Sequence, residues 1–186
     1  IYKPRCPQCQ ACQSIRVPVH SFKLSKRQKR TLRNNQLLHW KVVTKTTLEH
    51  YALYARYINA RHHDGPMYPP SQSQFEDFLL CDWLPPTFIE LYDADKLIGV
   101  AVTDNLTHSL SAIYSYFDPE YEKNSLGSLM ILIQCQLAKS LGKHFVYLGY
   151  QIDENRKMSY KRQYRPYQIL TPNGWQNGEL VNPLSC

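Results

Sequence analysis

The stretch Phe88-Ile89-Glu90-Leu91-Tyr92-Asp93-Ala94-Asp95-Lys96-Leu97-Ile98-Gly99-Val100-Ala101-Val102-Thr103 sets two β-rich runs around a four-residue polar turn, Asp93-Ala94-Asp95-Lys96. Apolar, β-branched and aromatic residues bounded by a turn of this kind read as a hairpin. A third run, 109–117, extends it to an antiparallel meander over 88–92, 97–103 and 109–117. Beyond the Asp118-Pro119 break, 125–141 reads as an apolar helix through Leu129, Ile131, Leu132, Ile133 and Leu137, ended by Gly142. A strand follows at 145–150, then a short helix at 158–163 and a strand at 167–170 leading into a Pro172-Asn173-Gly174 turn.

On the N-terminal side the signals are helical. Ser25-x-x-Gln28 forms a capping box, and the helix it starts puts Lys26, Lys29, Arg30 and Arg33 on one face. Thr46-x-x-Glu49 is a second box, opening a helix to about residue 60 with an apolar stripe of Leu48, Tyr51, Ala55 and Ile58, leaving Tyr54 and Tyr57 on the other side. Ser73-x-x-Glu76 caps a short helix to residue 80, stopped by Pro85-Pro86.

Three antiparallel strands, a helix and a parallel-returning strand make an α+β protein, and this is the element order of the GNAT-type N-acetyltransferase core. Acyl-CoA enzymes of that fold bind the donor pyrophosphate on a Gly-rich R/Q-x-x-G-x-G/A turn at a helix N-terminus, where free amides attract anions. Here the corresponding stretch is Glu122-Lys123-Asn124-Ser125-Leu126-Gly127. It keeps only the last glycine and puts an acid first, so an acyl-CoA N-acetyltransferase is a rival reading with a poor donor site.

Charge is uneven along the chain. The first 35 of the 186 residues carry nine Lys and Arg and no acid, whereas the remainder has 13 basic and 15 acidic residues, for a net charge of +7. Such a surplus fits a polyanionic partner, RNA or DNA, or else a solvated face. The expected organisation is a basic, Cys-containing N-terminal segment, 1–35, before a GNAT-like domain, 36–186. No apolar run approaches the roughly 18 residues of a membrane span. Six cysteines, three of them clustered and Cys81, Cys135 and Cys186 scattered, suit a reducing cytosol better than a secreted disulfide framework, and a cytoplasmic monomer is expected. The first residue is Ile1 rather than Met, which leaves room for residues upstream.

Cys6, Cys9 and Cys12 follow a C-x2-C-x2-C spacing. A ferredoxin run would add a fourth cysteine where Arg16 stands, and a zinc site needs a fourth ligand, for which His20 or Cys81 are candidates. An iron-sulfur cluster, zinc and a metal-free turn all remain open. A non-enzymatic RNA-binding zinc module is a second rival, but it would require a full ligand set and a smaller core.

Taken in order, the blocks Tyr2 to Cys12, Arg16-Val17-Pro18-Val19, Phe22-x-x-Ser25, Tyr54 to Met67 with Arg61-His62 and Gly65, Gly99 to Asp104, Ser111 to Pro119, Ser125-Leu126-Gly127, Tyr147 to Tyr150 and Lys157 to Lys161 resemble the bacterial aminoacyl-tRNA-protein transferase family. The resemblance spans nearly the whole chain and implies a GNAT-type fold. It also implies transfer of an amino acid from aminoacyl-tRNA to the α-amine of proteins beginning with Asp or Glu, which marks them for degradation. The bacterial branch transfers leucine, and arginyl transfer is the alternative by the same mechanism. Family members also carry a further N-terminal segment with a C-x-Y-L cysteine, which this sequence lacks.

The donor ester is already activated, and an α-amine with a pKa of about 7.7 to 8.0 needs only modest base assistance, so no cofactor is required for the chemistry. Positioning and oxyanion stabilisation supply the rest. Lys161, with Tyr160, Tyr164 and Arg162 around it, suits the acceptor end or the oxyanion. A solvated lysine is the ordinary alternative. Arg61 and His62 suit the substrate's acidic side chain, or a helix C-terminus that attracts cations. Asp104, Asp118 and Glu90 sit near strand ends and could take a proton, anchor the α-ammonium or cap turns. Tyr114, Tyr116, Tyr147 and Tyr150 read as core, with one or two available to stack on the terminal adenosine. Cys81 and Cys135 remain open as thiol nucleophiles.

Overall fold

A computed structural model describes residues 11–79, 84–152 and 155–178. The elements are β1 (Gln13–Pro18), α1 (Lys26–Asn34), β2 (His39–Val43), α2 (Leu48–Arg61), α3 (Gln72–Leu79), β3 (Thr87–Asp93), β4 (Lys96–Asn105), β5 (Ser109–Phe117), α4 (Leu126–Ser140), β6 (Phe145–Gln151), α5 (Arg156–Ser159), β7 (Gln168–Thr171) and β8 (Gly174–Asn177). Pro119–Asn124 and Tyr160–Gln163 are 3₁₀ turns. The chain forms two compact units: a terminal unit of Ile1–Ser25, Leu106–Ile113 and Gln134–Cys186, and a middle unit of Lys26–Asn105 and Tyr114–Ile133.

In the middle unit the strands run in the order β2-β3-β4-β5. β2 and β3 pair antiparallel with Val42 opposite Ile89, and β3 and β4 with Ile89 opposite Ala101. Phe88, Ile89, Leu91, Ile98, Val100, Ala101 and Val102 are all buried. Burial on both faces is why these strands read as continuous apolar runs rather than alternating ones. A Cβ on Gly99 would come within 2.5 Å of the Met130 methyl, the flexible end of an α4 side chain, and within 3.5 Å of Leu91.

The N-terminus of α2 is capped by the Thr47 hydroxyl, which accepts from the His50 amide at 3.4 Å. The buried face of α2 differs from the expected stripe. His50, Leu53, Tyr54, Tyr57 and Ile58 face inward and Leu48 is exposed. The expectation failed by treating the tyrosines as the polar side. Their rings instead join an aromatic cluster, with Tyr54 5.2 Å from Phe75 and 5.6 Å from Tyr116. At α3 the capping hydroxyl is that of Ser71, accepting from Gln74 N, and the expected cap Ser73 lies inside the helix.

The terminal unit has the order β5-β6-β1-β7-β8. β5 and β6 are parallel, with Ser109 opposite Phe145 and Ser111 opposite Tyr147, as the element order required. β1 is an addition to the expected strands, since 13–18 reads as part of a basic segment. Its Ile15 and Val17 are buried and alternate with half-buried Ser14, Arg16 and Pro18, the period of a strand. It pairs antiparallel with both β6 and β7. Opposite Ile15, β6 supplies two residues, and the second, Gly149, has φ +76°, so the bulge uses the one residue type that tolerates this conformation cheaply. The expected helix at 158–163 is α5 followed by the 3₁₀ turn, and β2 and β8 are further strands the sequence reading did not include.

Candidate functional site

In the terminal unit, the 3₁₀ turn after α5 carries Tyr160, Lys161 and Arg162, with Tyr164 as its C-terminal cap. Lys161 is half-buried, and its Nζ donates to the Tyr150 carbonyl at 2.5 Å, beside the β6 bulge. A Cβ at Gly149 would stand 3.9 Å from that Nζ. Burial pulls the Lys161 ammonium below its ordinary pKa. Arg162 Nε donates to the Tyr167 hydroxyl at 2.9 Å. Tyr164 is buried with its ring 6.3 Å from Phe22, whereas Tyr160 is exposed. The structure therefore brings these residues into one turn but gives them different jobs, Tyr164 serving as packing.

The middle unit holds the other candidates. Arg61, in the last turn of α2, pairs with Glu122 and lies 5.3 Å over the Phe117 ring. Both partners of that pair are exposed, at 36% and 69% of their side chains. His62 caps α2, its amide donating to the Ile58 carbonyl at 2.8 Å, and its ring packs 5.3 Å from Tyr57. Asp118 is buried and accepts from Arg56 at 3.0 Å, from Lys96 at 3.0 Å and from the Glu120 amide at 3.2 Å. Burial alone would raise its pKa, but Lys96, the Glu120 amide and Arg56 together hold it below the ordinary range.

Glu90 is likewise buried. It accepts from His50 Nε2 at 2.7 Å and the Tyr92 hydroxyl at 2.8 Å, and pairs with Lys41 at 3.3 Å. Against the upward push of burial, these donors leave Glu90 lower than normal. Asp104, near the end of β4, goes the other way, raised by burial. Arg56, Lys96, His50, Tyr92 and Lys41 were not anticipated. Lys96 could be read only as a turn residue, because nothing in the sequence ties it to Asp118 across 22 positions.

The α1 face places Lys26, Lys29, Arg30 and Arg33 in solvent. α1 is held by buried Gln28 and Asn35, and Asn35 exchanges amide hydrogen bonds with Asn124, both 3.0 Å, which sets the end of the basic helix beside the 119–124 turn. Cys6 and Cys9 lie outside the described residues, as does Cys81, and Cys12 is half-buried. Among the described residues no group of three or more His, Cys, Asp or Glu is arranged to hold a metal, and no helix is long and apolar enough to cross a membrane. Burial pushes the Cys135 thiol up to about 12, so it is not a thiolate at neutral pH.

A mixed, mainly antiparallel eight-strand arrangement with a parallel β5/β6 pair defines a GNAT-like acyltransferase scaffold. Solved structures agree on the fold. L-PGS from Bacillus licheniformis superposes with a TM-score of 0.61 at 12% identity, covering 84% of this chain and 57% of that one. A tandem GNAT protein from the clavulanic acid biosynthesis pathway gives 0.54 at 12% identity, covering 84% and 50%. Within that class the sequence is specific. Residues 1–30 match the family profile described as arginine-tRNA-protein transferase, N terminus, and 49–171 the C terminus of the same family. An aspartate/glutamate leucyltransferase of Shewanella sp. (strain ANA-3) is 65% identical over 180 residues, 97% of this chain and 76% of that protein. The chain belongs to the aminoacyl-tRNA-protein transferase family.

Proposed function

We propose that this enzyme moves leucine from leucyl-tRNA to the α-amine of proteins that begin with Asp or Glu. The observation that carries this reading is the 65% identity, over nearly the whole chain, to a protein named for that reaction. In the transfer the amine nitrogen bonds to the ester carbonyl carbon, the ribose oxygen leaves and is protonated, and a base removes the proton from the ammonium.

A cation is needed at the developing oxyanion or the leaving ribose oxygen. Lys161 fits that task, because its Nζ is already fixed by Tyr150 and partly shielded from water. Of the three carboxylates, Glu90 and Asp118 are each held ionised by several donors and are weak proton acceptors, while burial strengthens Asp104 as one. Arg61 reads the substrate's acidic side chain in this scheme. Its exposed pair with Glu122 is worth only about 0 to 1 kcal/mol, so an incoming carboxylate can replace Glu122 at little cost. The exposed α1 cations Lys26, Lys29, Arg30 and Arg33 contact tRNA phosphates. Any metal at the cysteine cluster is structural or redox-sensitive, since an ester donor calls for no thiol.

The test is a transfer assay with leucyl- and arginyl-tRNA on peptides starting with Asp, Glu, Arg and Ala. Leucine on Asp and Glu peptides alone is the expected product, and arginine transfer, or no transfer, overturns the reading. Arg61→Ala should lower kcat/KM for both acidic peptides at least tenfold with tRNA affinity unchanged, and Arg61→Lys should restore part of it. Equal loss of tRNA affinity and peptide transfer would take Arg61 out of side-chain recognition.

A further inference from the structure

The β6-β1-β7-β8 part of the terminal unit has two unlike faces. Ile15, Val17, Val146, Leu148 and Ile169 are buried on one. The other carries Phe145 and Tyr147 from β6, Arg16 from β1, Gln168 and Leu170 from β7, and Trp175 from β8. The cross-strand pairs Tyr147 with Arg16, Arg16 with Gln168, and Leu170 with Trp175 put them on the same side. None of these side chains is buried, and Leu170 is 45% exposed. A sheet face turned away from the core is ordinarily polar, so three rings and a leucine there mark a surface for contact.

The arrangement of that face is ordered. The Arg16 guanidinium sits 3.7 Å from the Phe145 ring centre and 4.2 Å from that of Trp175. Its orientation is fixed by Nε donating to Gln168 Oε1 at 2.8 Å and Nη1 to the Tyr147 hydroxyl at 3.1 Å. Tyr147 and Trp175 meet edge to face at 5.5 Å. No acid pairs with Arg16 among the described residues. The four strands contain no Asp or Glu, and the whole terminal unit has eleven Lys and Arg against three acids.

We propose that this face is a stacking platform for unpaired RNA nucleotides, the single-stranded 3′ end that an aminoacyl-tRNA presents. Bases stack on rings and on guanidinium planes, and a basic, acid-poor unit attracts the phosphates between them. The proposal rests on the transferase reading for the identity of the RNA, but its chemistry can be measured apart from the reaction.

The probe is a short unpaired RNA oligonucleotide ending in CCA, compared with a duplex of the same sequence, with binding followed by fluorescence anisotropy on the full chain. Trp175→Leu should weaken oligonucleotide binding on the order of tenfold, and Trp175→Phe should keep most of it because a ring remains. Arg16→Gln should weaken it and lower the log-log salt slope by about 0.7, one single-strand phosphate contact. Duplex binding should change little, and the aminoacyl-tRNA KM should rise while the peptide KM stays. Oligonucleotide affinity unchanged in both Trp175→Leu and Arg16→Gln, no oligonucleotide binding by the unaltered chain, or a peptide KM that moves instead would overturn the platform. Ring-dependent oligonucleotide binding without leucyl transfer would sink the reaction and leave the platform standing.

Discussion

The two units use aromatic residues in opposite ways. In the middle unit Tyr54, Phe75 and Tyr116 are buried against one another, and the charges of the unit are neutralised, eleven basic residues against twelve acidic. In the terminal unit Phe145, Tyr147 and Trp175 stay half-exposed around an arginine, amid eleven basic residues and three acids. Read along the chain, the positive surplus belongs to the first 35 residues. Sorted by unit, α1 and its five cations fall among compensating acids, and the surplus belongs to the terminal unit. Residue type therefore decides little here, and partners decide the role: buried rings stabilise, and rings left at a surface are available to bind.

The largest effect expected from this contrast is on stability. Phe75→Ala removes a buried ring packed on Tyr51, Tyr54 and Tyr116 and should cost about 3 to 5 kcal/mol in urea unfolding. Trp175→Leu should cost under about 1 kcal/mol, because its site is partly solvated. Equal costs would erase the distinction between packing rings and surface rings. Tyr116→Phe sharpens it further, since the Tyr116 hydroxyl is buried without a hydrogen-bond partner among the described residues. Removing a stranded hydroxyl should leave stability unchanged or raise it by roughly 1 kcal/mol.

Next in size is the Glu90 network. The folded protein holds Glu90 below its ordinary value of 4.5, burial being outweighed by Tyr92, His50 and Lys41. As pH falls the unfolded chain takes up this proton first, so the contribution of Glu90 is complete above about 4.5 and is lost as pH drops through the folded value. Glu90→Gln should cost roughly 1 to 3 kcal/mol at neutral pH, with the gap to the parent closing below 4.5. A gap that stays constant from pH 7 to pH 3 would mean that the carboxylate charge is not what matters.

The sequence made the local parts of this fold legible and the distant parts obscure. β3, β4, β5, α4 and β6 were readable because each carries its own apolar run and its own turn or cap. β1 was not, since its partners lie about 130 to 150 residues away and Arg16 occupies a strand position that composition reads as a basic tail. The site divides in the same way. Lys161 and Arg61 stood out through their motif blocks, whereas the carboxylate partners that set Asp118 and Glu90 apart from Asp104 come from other elements. Lys96 and Arg56 for Asp118, and His50 and Lys41 for Glu90, leave no mark near the residues they control.

The smallest effect per residue, and the one that bears most directly on where tRNA charge is met, concerns α1. Lys26, Lys29, Arg30 and Arg33 are exposed, so replacing all four with Gln should change stability by no more than about 0.5 kcal/mol per site. Each one that contacts a phosphate should still lower the log-log salt slope of tRNA binding, by roughly 0.7 to 0.9. Arg16→Gln in the terminal unit gives the matching measurement on the other side of the comparison. A slope that falls with the α1 substitutions and again with Arg16→Gln would assign phosphate contacts to both units. A slope untouched by the four α1 substitutions would leave α1 a solvated face, balanced by the acids of its own unit, and would assign the electrostatic recognition of tRNA to the acid-poor terminal unit.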